Sequence, residues 1–94
     1  KAIYEKIISE NPNFAPAWCN LGFIYLQNGN AEKAKQFYDK ALALDPDYVQ
    51  ALLNKAGLFL YEKKNSEALA IAKQILKMNP NNEQALAIQM RFTK

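Results

Sequence analysis

Apolar residues recur along this chain at three- and four-residue steps, in runs of about a dozen residues that are broken by short polar stretches. Trp18, Leu21, Gly22 and Tyr25 follow an i, i+3, i+4, i+7 stripe, and Ala34, Phe37, Tyr38, Ala41 and Leu42 form a second. Both have the period of an amphipathic helix. Between them lies Asn28-Gly29-Asn30, where Gly29 suits a left-handed turn and Asn30 an N-cap. The pattern predicts helix, tight turn, helix.

This unit repeats. Pro12, Pro46 and Pro80 are 34 residues apart, each with a polar residue on either side: Asn11 and Asn13, Asp45 and Asp47, Asn79 and Asn81. Proline lacks an N–H and disfavours helix in its predecessor, so each site ends a helix, and the Asn or Asp that follows is expected to cap the next. Asp47 with Gln50, and Asn81 with Gln84, resemble capping boxes. The same offset relates Ala17, Ala51 and Ala85, and also the pairs Asn20 and Asn54, Leu26 and Leu60, Ala34 and Ala68, Leu42 and Leu76, and Tyr4 and Tyr38.

The run Trp18-Cys19-Asn20-Leu21-Gly22-Phe23-Ile24-Tyr25, followed by Ala34, Tyr38, Ala41 and Pro46, resembles the tetratricopeptide repeat pattern W-x2-L-G-x2-Y…A-x3-F…P, with Tyr38 at the Phe position. Residues 15–48 match it strongly. Residues 49–82 match more loosely through Leu52, Ala56, Phe59, Ala68 and Pro80, and depart at Lys55, Lys63, Ala72 and Ile75. Residues 1–14 resemble the second helix of a preceding repeat, and 83–94 the first helix of a following one. The resemblance implies an all-α fold, a right-handed solenoid of antiparallel helix-turn-helix units with about five helices in a single array. Small residues at Gly22, Ala34, Ala41, Ala56 and Ala68 would let helices approach closely, with Trp18, Leu21, Tyr25, Leu52 and Phe59 filling the core.

In this family the first helix of each repeat lines a concave surface that holds a peptide. Carried over position by position, the lining is Pro16, Cys19, Asn20, Phe23, Leu26 and Gln27, then Gln50, Leu53, Asn54, Gly57, Leu60 and Tyr61, then Gln84, Ile88 and Arg91. Asn20 and Asn54 would present a short ladder of amides to an extended peptide. Members that clamp a C-terminal carboxylate use several Lys, Asn and Arg on successive first helices. Here Cys19, Phe23, Gln50 and Gln84 stand in such places, so a full carboxylate clamp is not expected.

Composition narrows the function further. The chain has no histidine and one cysteine, Cys19, so it lacks an imidazole base, a Cys-His pair and a multi-ligand zinc site, and no cofactor is expected. A net charge of +3, from eleven Lys and Arg91 interleaved with nine acidic residues, is unlike the clustered basic stripe of a nucleic-acid binder. A helical RNA-binding repeat of similar period fits less well, because the Trp-Leu-Gly-Tyr series is present and Arg is scarce. No apolar run approaches the ~20 residues that span a bilayer. The start at Lys1, without Met or leader, is expected of an excised segment; the compartment stays open, with the cytoplasm as the default in the absence of a targeting signal.

The two ends differ. Glu83, Gln84, Gln89, Arg91 and Lys94 around Leu86 and Met90 suit a capping helix. The first helix carries Ile3, Tyr4, Ile7 and Ile8, with Ile7 where the pattern has Ala facing a partner helix, which predicts self-association through Ile3 and Ile7. The expected function is a protein-interaction module rather than an enzyme. The alternatives are a structural spacer or self-association segment, or an accessory part of an enzyme whose catalytic part lies elsewhere.

Overall fold

A computed structural model describes residues 2–92. Among them are six α-helices: α1 (Ala2–Glu10), α2 (Ala15–Gln27), α3 (Ala31–Leu44), α4 (Val49–Tyr61), α5 (Asn65–Met78) and α6 (Glu83–Phe92). That is one more than the about five expected. The period is literal in the backbone, since α2, α4 and α6 begin at 15, 49 and 83, and α3 and α5 at 31 and 65. Lys94, assigned by sequence to the capping face of the last helix, lies outside the described residues.

The same backbone hydrogen bonds close each helix at the prolines. The N–H groups of Asn11, Asp45 and Asn79 donate to the carbonyls of Ile7, Ala41 and Ile75 at 2.7, 2.9 and 2.8 Å. Three residues on, Phe14, Tyr48 and Asn82 each donate to the carbonyl of Asn11, Asp45 or Asn79 at 3.1 Å, forming a β-turn with proline at its second position. The capping residues differ from the sequence reading. Asp47 and Asn81 lie within the turns and donate their backbone N–H to the side-chain oxygens of Asp45 and Asn79 at 3.3 Å. The cap of α6 is instead Asn82, whose Oδ1 accepts from the Ala85 N–H at 2.9 Å, because the three-residue turn leaves the preceding Asn one position short of the helix. Asn30 caps α3 as expected, accepting from the Lys33 N–H at 3.2 Å.

Within each repeat the first helix ends in a Schellman-type turn, with Asn30 and Lys64 donating to the carbonyls of Tyr25 and Phe59 at 2.9 and 2.8 Å. The residue before each is left-handed: Gly29 at φ 84° and Lys63 at φ 62°. Glycine adopts this conformation without strain, whereas a lysine pays for its Cβ.

The chain divides into two compact units after Ala51. In the first, α1 packs on α2 and α2 on α3, around Ala15, Ala17, Cys19, Leu21, Ala34, Tyr38 and Ala41. Alanine and glycine dominate because the helices lie close. A Cβ added to Gly22 would stand 2.9 Å from Tyr38 Cε1 and 3.1 Å from the Ala34 carbonyl oxygen. In the second unit α5 packs on α6, and Leu52, Ala56, Leu58, Ala68, Ala72, Ile75 and Ala85 are buried. Leu21, Leu58 and Ile75 are almost completely excluded from water, each stabilising the fold by roughly 2 kcal/mol.

Candidate functional site

The lining positions on α2 are 16, 20, 23 and 27, which share one face at helical spacing. Asn20, Phe23 and Gln27 are exposed there and Pro16 is half-buried; Phe23 leaves 46% of its surface open. Leu26 is half-buried at the edge of this face. Cys19 is a correction. It is wholly buried, on the arc of α2 that also holds the buried Ala15 and Gly22 and within electrostatic reach of Tyr38 and Tyr48, so its thiol belongs to the core and not to a binding face.

On α4 the equivalent face carries Gln50, Asn54, Gly57 and Tyr61, with Leu53 and Leu60 beside it. Gln50, Gly57 and Tyr61 are exposed, and Leu53, Asn54 and Leu60 half-buried. Tyr61 leaves 81% of its surface open. Gly57 stands where α2 has Phe23, and a Cβ built on it meets no atom within 4 Å. The face is therefore notched between Asn54 and Tyr61. On α6, Gln84 and Arg91 are exposed and Ile88 is half-buried, again at one helical face. Arg91 also lies over the ring of Phe92 at 5.8 Å. Each helix thus offers amides beside an apolar or aromatic group, with Arg91 the one cation on these three faces among the described residues.

Other side chains form a second set that periodicity assigned to the core. Trp18 and Tyr25 are half-buried against Phe37, with ring centroids 5.6 and 5.3 Å apart. The Lys40 and Lys33 ammoniums cover Trp18 and Tyr25 at 5.5 Å, and Trp18 Nε1 donates to the Pro12 carbonyl at 2.8 Å. These contacts hold the turn between α1 and α2 in place, and the cations shield the rings from water. In the second repeat the ring of Phe59 has Lys55 and Lys64 over it at 5.7 and 6.0 Å. Apolar spacing located the rings but carried no signal for the cations above them.

Deep in the first unit, the Tyr38 hydroxyl is buried with no hydrogen-bond partner. Burial, and secondarily the neighbouring Cys19 thiol, push its pKa up to about 12. Tyr48 is raised by the same two causes and then by Asp45. Among the described residues no group of three or more His, Cys, Asp or Glu is placed to hold a metal ion, and no helix is long and apolar enough to cross a membrane.

The 34-residue hydrogen-bond period, the Gly22–Tyr38 contact and the left-handed turn at Gly29 meet in one stretch, residues 15–48, which matches the family model described as tetratricopeptide repeat. Those residues are a tetratricopeptide repeat. Solved tetratricopeptide-repeat (TPR) domains share the fold of almost the whole chain. The Arabidopsis OM64 TPR domain superposes with a TM-score of 0.85 at 26% identity, over 94% of this chain and 73% of that one. The second TPR domain of human RPAP3, solved by NMR with the HSP70 peptide SGPTIEEVD, gives 0.82 at 24% identity over 97% and 76%. The first TPR of Spaghetti (RPAP3), bound to the HSP90 peptide SRMEEVD, gives 0.85 at 22% identity over 94% and 70%. No curated protein matches the chain by sequence. The fold class is accordingly the all-α helical-repeat solenoid, as the tetratricopeptide resemblance implied.

Proposed function

We propose that this TPR segment is a protein-interaction module that holds a peptide or protein segment on the exposed faces of its first helices: Asn20, Phe23 and Gln27 on α2, Gln50, Leu53, Asn54, Gly57 and Tyr61 on α4, and Gln84, Ile88 and Arg91 on α6. The observation that carries this reading is the exposure of Phe23 and Tyr61 on faces that repeat every 34 residues beside amide side chains. Exposed aromatics flanked by hydrogen-bonding groups are what a peptide-binding surface offers, the rings supplying contact area and the amides fixing the backbone. Two domains of the same fold hold HSP70 and HSP90 peptides, which supports a peptide as the class of ligand. Those peptides are acidic, whereas among the described residues the faces here carry Arg91 as their one cation. A neutral, partly apolar segment is the better match.

The test is a peptide array screened with the intact chain and with a Phe23→Ala/Tyr61→Ala variant. Binders of the intact chain should weaken about tenfold or more in the variant, as expected when aromatic anchors are truncated. Binders indifferent to both substitutions would remove the reading. An Asn20→Ala/Asn54→Ala variant then asks whether the amides act as a ladder: affinity should fall while the melting temperature stays unchanged.

We also propose the repeat frame of half-repeats at 1–14 and 83–94 around 15–48 and 49–82, and self-association through α1. Ile7 and Tyr4 are half-buried and Ile3 is 72% exposed, while the equivalent Ile75 and Tyr38 are wholly buried in α5 and α3. An α1 face of this kind is covered by a second copy. Sedimentation at falling protein concentration should show a dimer that Ile3→Ser/Ile7→Ser abolishes; a concentration-independent monomer overturns it.

A further inference from the structure

The second repeat departs from the first in a consistent direction around one ring. Where the first repeat has Leu21, Gly29 and Asn30, the second has Lys55, Lys63 and Lys64. Two of these substitutions stand in the turn that joins α4 to α5, and the third, Lys55 on α4, shares the ring of Phe59 with Lys64. Lys55 and Lys64 place their ammoniums over the ring of Phe59, at 5.7 and 6.0 Å, and Lys63 stands exposed in the same turn. Glu62 lies 3.9 Å from Lys64, and Glu67 is in the first turn of α5, where it complements the helix dipole. Three cations thus share a small patch with two carboxylates.

The backbone makes the arrangement harder to dismiss as an incidental charged surface. Lys63 occupies a left-handed turn, φ 62°, that the first repeat fills with glycine. A non-glycine residue in that region is strained, and such strain is retained where something else requires the side chain. Lys55 replaces a leucine that is 2% exposed in the first repeat, so a packing position too has been given over to a charge.

We infer that Lys55, Phe59, Lys63 and Lys64 form an auxiliary docking patch for an acidic segment of a protein partner. The carboxylates of that segment meet the ammoniums, and an apolar side chain packs along the lysine stems beside the half-buried ring. Charge complementarity selects this occupant, and the single small ring favours a peptide over a nucleic acid, which would need a longer basic track and further stacking platforms. The patch lies off the 50, 54, 57, 61 face of α4, so it acts apart from the surface proposed above, and it does not depend on that proposal. Its contribution is electrostatic, so it accelerates association and weakens with salt.

The probe is a short glutamate-rich peptide carrying a single leucine, added to the ¹⁵N-labelled chain at low salt and at about 0.15 M. Amide shifts should centre on residues 55–67, with affinity falling as salt rises. Restoring the first repeat's residues, Lys55→Leu/Lys63→Gly/Lys64→Asn, should weaken binding about tenfold without lowering the melting temperature, since Lys63→Gly relieves the turn. Should that variant fail to fold, Lys63→Glu/Lys64→Glu gives the same reading by charge reversal. Phe23→Ala/Tyr61→Ala should leave this binding unchanged, which separates its failure from that of the proposed function. Shifts centred on Phe23 and Tyr61, no shift at 55–67, or tighter binding of oligouridylate than of the peptide would each overturn the inference.

Discussion

In the hairpin α2–α3 a glycine faces a tyrosine, Gly22 against the buried ring of Tyr38, whereas the equivalent positions of α4 and α5 hold Ala56 and Ala72. One repeat fills the space between its helices with a single large side chain and strips its neighbour of a Cβ; the other has a small, wholly buried side chain at both positions. The first arrangement fixes one tight geometry and leaves a buried hydroxyl without a partner. Polar anchoring differs in the same sense: Trp18 ties α2 to the Pro12 carbonyl, while the equivalent Leu52 has no donor to offer. A shared period therefore does not imply shared energetics. What persists between the repeats is backbone geometry, and the side chains satisfy it in different ways.

The sharpest break of this comparison is Gly22→Ala, which imposes the second repeat's alanine on the first repeat's tyrosine. The added Cβ meets both the Tyr38 ring and the Ala34 carbonyl oxygen. A loss of about 2–3 kcal/mol in denaturant unfolding is expected from overpacking. Adding Tyr38→Ala should recover part of it, a coupling that a double-mutant cycle measures.

Alkaline pH probes the orphaned hydroxyl. Tyr38 is held neutral by the fold with a pKa raised from 10.0 to about 12, so its contribution is fully present below pH 10 and is lost as pH rises through 12. A shift of that size corresponds to about 3 kcal/mol, and Tyr38→Phe should abolish this share of the pH dependence. At neutral pH the same substitution should raise stability by about 1 kcal/mol, since it removes a buried polar group that has no partner.

Lys63→Gly should stabilise the second hairpin by about 1 kcal/mol, while Gly29→Ala should cost the first about as much. Equal melting temperatures for both variants and the parent would mean the two turns are not the equivalents their φ values suggest. The smallest effect is expected at Gly57→Ala, a gain of roughly 0.5–1 kcal/mol from helix propensity, because the new methyl enters open space. If Gly57→Ala nevertheless weakens peptide binding, the notch beside Tyr61 takes part in recognition.

Much of the fold was legible because its signals are local. Three prolines and Gly29 punctuate the chain, and the spacing of Trp18, Leu21, Gly22 and Tyr25 announces a helix without reference to any distant residue. Where local signals competed, the reading slipped by one residue: Asn81 and Asn82 are both good caps, and only the closed turn from Asn79 to Asn82 selects the second. Of the candidate surface, Asn20, Phe23, Gln27, Gln50, Gly57, Tyr61, Gln84 and Arg91 are exposed on their helices, and the peptide array tests whether they hold a ligand. The burial of Cys19 was not legible, because a thiol is small enough for either environment.

By itself the sequence determined the 34-residue period and the placement of the helices and turns, which follow from backbone rules that act within a few residues. Only the tertiary structure decided that Cys19 is core, that the Tyr38 hydroxyl lacks a partner and that lysines sit over the rings of Trp18, Tyr25 and Phe59. The reason is geometric. Burial of a small or amphipathic side chain depends on how closely neighbouring helices approach, and that distance is set by the Cβ atoms of other residues such as Gly22.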